Sequence, residues 1–120
     1  MKKEKNLPQI ESFMKLRSFA LIGASARKKK FGNYILAAMN KKYMRIYPMH
    51  RSANIIDGQK AFSSFAELPE KPEGVILVIP PGETEHVIDD IITAGIKNVW
   101  FQQGSVSQKA VRYCILNGIN

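Results

Sequence analysis

The sequence predicts an α/β fold: a Rossmann-like, doubly wound, mainly parallel sheet in three α/β/α layers. Three observations predict it. Apolar runs of strand length alternate with amphipathic segments of helix length along most of the chain. The run Gly74 to Ile79 is continuous and rich in β-branched residues, as a strand covered on both faces requires. The two clearest strands stop at turn formers, Gly23 and Pro80-Pro81-Gly82, each ahead of a helix-like segment.

Residues 1–17 read as a charged leader and a short helix, with Pro8 near its start and Ile10, Phe13 and Met14 on its apolar side. Residues 18–120 form the domain. Its first strand is Phe19 to Gly23, and a helix follows from Gly32 to Lys42 with Ile35, Leu36, Ala38 and Met39 on one face. Arg45 to Pro48 is the second strand, and Ser52 to Gly58 a turn-rich connector. Lys60 to Phe62 reads as a brief edge strand and Phe65 to Leu68 as a short helix before the break at Pro69 and Pro72. Gly74 to Ile79 is the fourth strand. Glu83 to Ala94 is a helix whose stripe is Val87, Ile88, Ile91 and Ile92, with Gly95 suited to the position after its end. Lys97 to Phe101 is the fifth strand. Ser107 then caps a last helix that turns Ala110, Val111, Cys114 and Ile115 inward. The expected strand order is 3-2-1-4-5. A closing strand has room to begin only at Ile119, so the reading is either a sheet that lacks it or a chain shorter than the full domain.

A length of 120 residues suits one domain with a core of its own. Lysine and arginine number 18 against 10 acidic residues, a formal net charge of +8. Such an excess favours an anionic partner, although Lys2, Lys3 and Lys5 read as a solvated leader. Cys114 is the single cysteine, which excludes an intrachain disulfide and a cysteine-based metal site and fits a reducing cytoplasm. Glu11, Ser12, Lys15 and Arg17 interrupt any apolar stretch after the first lysines, and no segment has the span of a transmembrane helix. The expectation is a soluble, cytoplasmic protein without a membrane partner.

The stretch from Gly23 to Asn33 carries the most chemistry. A buried strand ends at Gly23, a loop follows with four consecutive cations from Arg27 to Lys30, and Gly32-Asn33 opens a helix. Backbone N–H groups, a helix dipole and positive charge together make a phosphate cradle. The nicotinamide dinucleotide pattern G-x-G-x-x-G is absent, since Ser25 stands at the second glycine position. Tyr47-Pro48-Met49-His50-Arg51 offers no carboxylate for a ribose hydroxyl, which disfavours NAD. Arg51 leaves NADP open. The phosphate loop of P-loop nucleotidases is missing as well.

These residues resemble the small stand-alone CoA-binding domain family, related to the CoA-binding Rossmann domain of the succinyl-CoA synthetase α subunit. The matching pieces are Leu21 to Ser25, Lys30 to Asn33, Arg45 to Pro48, Asp57-Gly58, Ser63 to Pro69, Val75 to Pro80 and Gly95 to Gly104. The resemblance implies coenzyme A or an acyl-CoA as ligand, lying over the turn that ends the first strand. Gly23 and Ser25 would approach its phosphates, Arg27, Lys29 and Lys30 would supply charge, and Asn33 would stand at the helix N-terminus. Val78, Ile79 and Pro80 would flank the nucleotide, and turns at Pro48 and Pro80 would shape the adenosine slot. The chain departs from the family where Asn-Pro commonly follows the second strand, having His50-Arg51 there. In synthetase relatives a phosphohistidine in a separate region performs catalysis, and that region is absent from this sequence.

Other candidates read more plainly. His50 has no nucleophile or carboxylate beside it in sequence and reads as structural or solvent-facing. Cys114 lies on an apolar stripe as a core thiol, and Asp89 and Asp90 as solvated charges. Trp100 and Phe101 read first as packing residues, with Gln102 next to them facing the crevice. No catalytic triad, metal-ligand spacing or carboxylate pair stands out. The reading is therefore a non-catalytic CoA sensor or carrier, with room for a homo-oligomer or a protein partner. Two alternatives remain: an NADP- or other nucleotide-binding enzyme subunit, and a basic nucleic-acid interaction module. The cations lack the aromatic interleaving that favours the second.

Overall fold

In sequence order the chain lays down β1 (Ser18–Ile22), α1 (Phe31–Asn40), β2 (Arg45–Met49), β3 (Ile55–Ile56), β4 (Gln59–Lys60), β5 (Gly74–Leu77), α2 (Pro81–Ala94) and β6 (Asn98–Phe101). This computed structural model describes residues 13, 15–25, 31–42, 44–79 and 81–101. Most of the N-terminal helix expected before Arg17, the last helix with Cys114 and the closing strand lie outside the described residues. So do Arg27, Lys29, Lys30, Pro80 and Gln102.

The main sheet has four parallel strands in the order β2-β1-β5-β6. Alternation along the strands feeds two cores. Phe19 and Leu21 of β1, Ile46 of β2 and Ile76 of β5 point to one face, where Leu36 of α1 covers them. Ala20, Val75, Leu77 and Val99 point to the other, under Ile88 and Ile91 of α2. Each fully buried leucine or isoleucine contributes about 1.5–3 kcal/mol, so neither face tolerates a one-residue register slip. The three-layer, doubly wound reading therefore describes the molecule.

Several boundaries differ from expectation. α2 begins at Pro81, two residues before Glu83, because a proline at the first helical position has no N–H to leave unsatisfied. β5 ends at Leu77 rather than Ile79, although the Val78 N–H still donates to the Ile22 carbonyl at 2.8 Å. The Ser52–Gly58 connector is partly a strand: β3 pairs antiparallel with β4 in a two-residue hairpin. Its turn residues Asp57 and Gly58 have φ of 51° and 76°, the left-handed pair a tight hairpin turn needs. Of the expected third strand, Lys60 joins β4, and Phe62 pairs with Met49 in one parallel bridge on the outer edge of β2.

Pro48 stands inside β2 rather than in a turn. Its carbonyl accepts the Phe62 N–H at 3.0 Å, so the side of the backbone that lacks an N–H faces the outer edge. The ladder to β1 is unaffected, and an edge strand can hold this proline.

Candidate functional site

The strand order reverses direction between β1 and β5: α1 leads outward from β1 to β2, and α2 outward from β5 to β6. Open α/β sheets bind ligands at this switch point, beyond the carboxyl ends of the strands. Here the chain leaves β1 through Gly23, with φ of 133°. A Cβ on Gly23 would lie 2.8 Å from both the carbonyl carbon and the Cβ of Val78. A Cβ on Gly32 would lie 2.8 Å from the Gly23 carbonyl and 2.9 Å from the Ala24 nitrogen. Two glycines therefore allow the β1 turn, the β5 end and the first turn of α1 to touch backbone to backbone.

Asn33 closes the loop between them. It is 2% exposed, and its Oδ1 accepts the Ser25 N–H at 2.8 Å while its Nδ2 donates to the Ser25 carbonyl at 2.9 Å. A second Nδ2 proton goes to Asp57 Oδ2 at 3.0 Å. The carboxamide thus stands in for a strand partner across eight residues, and the Ser25 N–H is spent on it rather than on an anion.

A crevice of about 1350 Å³ opens over this point. Gly23, Ala24, Val78 and Ile79 form its floor, with Met49 to Ser52 on one side. The segment from Ser63 to Pro72 and one face of α2 (Glu83, His86, Val87 and Asp90) make the remaining walls. His50 organises its own turn: its Nδ1 accepts the Ser52 and Ala53 N–H groups at 3.1 and 2.9 Å. That places the exposed Arg51 on the wall. Across from it, Ser63 donates its N–H and its hydroxyl to Glu67 Oε1, both at 3.0 Å, and these bonds hold the Glu67 carboxyl below its ordinary value.

Glu70 ties the far wall back to β2. Its Oε2 accepts from Arg45 Nε at 2.6 Å and from the Tyr47 hydroxyl at 2.5 Å. The hydrogen bonds from Arg45 and Tyr47 hold the Glu70 carboxyl below its ordinary range, while the same bond to Glu70, then burial, raise the Tyr47 phenol. Among the described residues the crevice wall carries Arg51 and Lys71 against Glu70, Glu83 and Asp90. That described wall has no positive excess.

Of the residues expected at the site, the structure brings Gly23, Arg51, Val78 and Ile79 together on the crevice surface, with Ser25 and Asn33 directly behind the turn. Pro48 is buried beneath it. The sequence reading missed the α2 wall, whose spacing from Glu83 through His86, Val87 and Asp90 repeats a helical face. It also missed Asp57 as a side-chain partner and His50 as a turn acceptor. A hairpin signal in Asp57-Gly58 could have pointed to the first; the second leaves no local pattern.

Similarity to known proteins decides the family. The family model for the CoA binding domain matches residues 17–120. The chain belongs to the CoA binding domain family. Family membership supports coenzyme A as its ligand. A relative in sequence is the α subunit of an ADP-forming acetate–CoA ligase II from Pyrococcus furiosus, 28% identical over 92 residues. That match takes in 75% of this chain and 20% of the relative, so the chain spans about one fifth of it. Among solved structures, a conserved hypothetical protein from Pyrococcus furiosus is 33% identical, with a TM-score of 0.80 over 87% of this chain and 90% of that one. The dinucleotide-forming acetyl-coenzyme A synthetase 1 of Ca. Korarchaeum cryptofilum, in complex with phosphate and ADP, shares the fold at 23% identity and a TM-score of 0.78. That alignment covers 92% of this chain and 26% of the synthetase. Among the described residues no helix is long and apolar enough to cross a membrane, and no group of side chains is placed to hold a metal ion.

Proposed function

We propose that this protein binds coenzyme A or an acyl-CoA in the crevice over the β1–β5 switch point and does no chemistry on it, acting as a sensor or carrier. The observation that carries the reading is the backbone contact of Gly23, Gly32 and Val78. It brings the β1 turn, the end of β5 and the first turn of α1 together at the place where α/β sheets take nucleotides. The phosphates lie along the Gly23–Asn33 loop, with Arg27, Lys29 and Lys30 neutralising them. The Ser25 N–H is committed to Asn33, which pins the turn in place. The nucleotide lies between the Arg51 side and the Val78–Pro80 end of β5, with Gln102 at its margin. The acetate–CoA ligase relative is several times longer than this chain.

Isothermal calorimetry tests the reading with CoA, 3′-dephospho-CoA and NADPH against the wild-type protein and a Lys29→Ala/Lys30→Ala variant. Micromolar CoA affinity is expected, weaker without the 3′-phosphate. Loss of two charge-assisted contacts weakens it by about tenfold or more, with an unchanged circular dichroism spectrum. Equal affinity in the double variant sinks the cradle. Preference for NADPH over CoA turns the crevice, with Arg51 on its wall, into an NADP site. No binding of any of the three overturns the ligand.

A further inference from the structure

Asn33 can present its carboxamide in two ways that differ by a half-turn. In one, Oδ1 faces the Ser25 N–H and Nδ2 faces the Ser25 carbonyl; in the other, both meet a group of their own kind. The Ser25 backbone favours the first only if it is already in place. Asp57 supplies an independent bias: its carboxylate can accept but not donate, so it holds a proton-bearing nitrogen and repels a carbonyl oxygen. The Nδ2 bond to Asp57 Oδ2 at 3.0 Å therefore selects the orientation that engages Ser25 twice.

The carboxylate is itself firmly carried. It sits on a hairpin turn with φ of 51° at Asp57, a conformation that aspartate and asparagine tolerate better than other side chains with a Cβ. The hairpin is fastened on two sides: Gln59 Nε2 donates to the Ile46 carbonyl at 2.7 Å, and Asn40 Nδ2 donates to Gln59 Oε1 at 3.0 Å. Asp57 lies outside the crevice wall and so acts from behind it. We infer that Asp57 is a positioning residue: through Asn33 it holds the Ser25 backbone against the first turn of α1, and so sets the affinity of the site for its phosphate-bearing ligand. The affinity part rests on the CoA reading above. The loop-shaping part does not.

Two substitutions separate position from charge. Asp57→Asn removes the charge but keeps an acceptor oxygen and the left-handed turn. Asp57→Gly removes the acceptor and also keeps the turn. Amide hydrogen exchange in the ligand-free protein reads the loop directly at Ser25. The Ser25 amide should exchange about tenfold faster in Asp57→Gly and about threefold faster in Asp57→Asn, because the glycine variant loses the acceptor outright whereas the asparagine keeps one but can also present a donor to Asn33. CoA affinity should follow the same order, weakened about fivefold to twentyfold in Asp57→Gly and less in Asp57→Asn. Unchanged Ser25 protection in Asp57→Gly overturns the inference. So does a larger effect in Asp57→Asn than in Asp57→Gly, since the asparagine keeps an acceptor for Asn33 Nδ2. If Ser25 exchange shifts as expected but the wild-type protein binds no CoA, the loop-shaping role stands and the ligand reading falls.

Discussion

Replacing Gly32 with alanine puts two physical effects in opposition. Helix propensity favours alanine over glycine by about 1 kcal/mol in a helix interior, less at a first turn. The backbone of Gly32 is not in the left-handed region, so alanine brings no conformational strain there. Packing points the other way. The new Cβ would lie 2.8 Å from the carbonyl carbon and oxygen of Gly23, against 3.4–4 Å for ordinary contact. These are main-chain atoms of a strand end held in the sheet, so α1 has to lift off the turn by about 0.6 Å or more. Overpacking of this kind costs about 1–3 kcal/mol, leaving a net loss of about 1–2 kcal/mol. Urea titration should show a lower midpoint with an unchanged m-value, and Tm should fall by about 3–8 °C. CoA affinity should fall as well, since the lift separates the helix N-terminus from the turn. A variant as stable as wild type, or more so, refutes the close approach and with it the geometry of the cradle.

Gly23→Ala should be worse than Gly32→Ala in the same titration, because it combines a φ of 133° with contact against the Val78 main chain. Glu70→Gln should lower Tm at neutral pH. Glu70 is held below its ordinary value of 4.5, so its contribution is present above that value and is lost as pH falls through the folded one; the gap between variant and wild type should close in acid. Tyr47 runs in the opposite direction: its raised phenol contributes below 10.0 and loses that share as pH climbs, and in Glu70→Gln it should ionise at lower pH by ultraviolet difference absorbance. His50→Ala should cost about 0.5–1.5 kcal/mol by urea titration through the loss of an acceptor for the Ser52 and Ala53 N–H groups, and should weaken CoA binding by loosening Arg51. Wild-type stability and affinity in that variant would assign the turn to its backbone alone.

The sequence by itself determined the layers and the turn that ends the first strand. Alternation in Phe19–Ile22 and the unbroken apolar run from Gly74 specify strands covered on both faces, while the stripe from Val87 to Ile92 specifies a helix, because burial repeats with the local period of each element. Gly23 and Gly32 marked the turn for the same local reason. The tertiary structure alone decided what lies behind and across from that turn. Asn33 meets Asp57 across 24 residues and Tyr47 meets Glu70 across 23, and neither pair leaves a periodic trace in the chain. Pro48 looked like a turn former until the sheet showed which side of its backbone faces the edge. Side-chain hydrogen bonds depend on where two distant backbones have been brought, and that is fixed by how the layers pack rather than by either segment's own pattern.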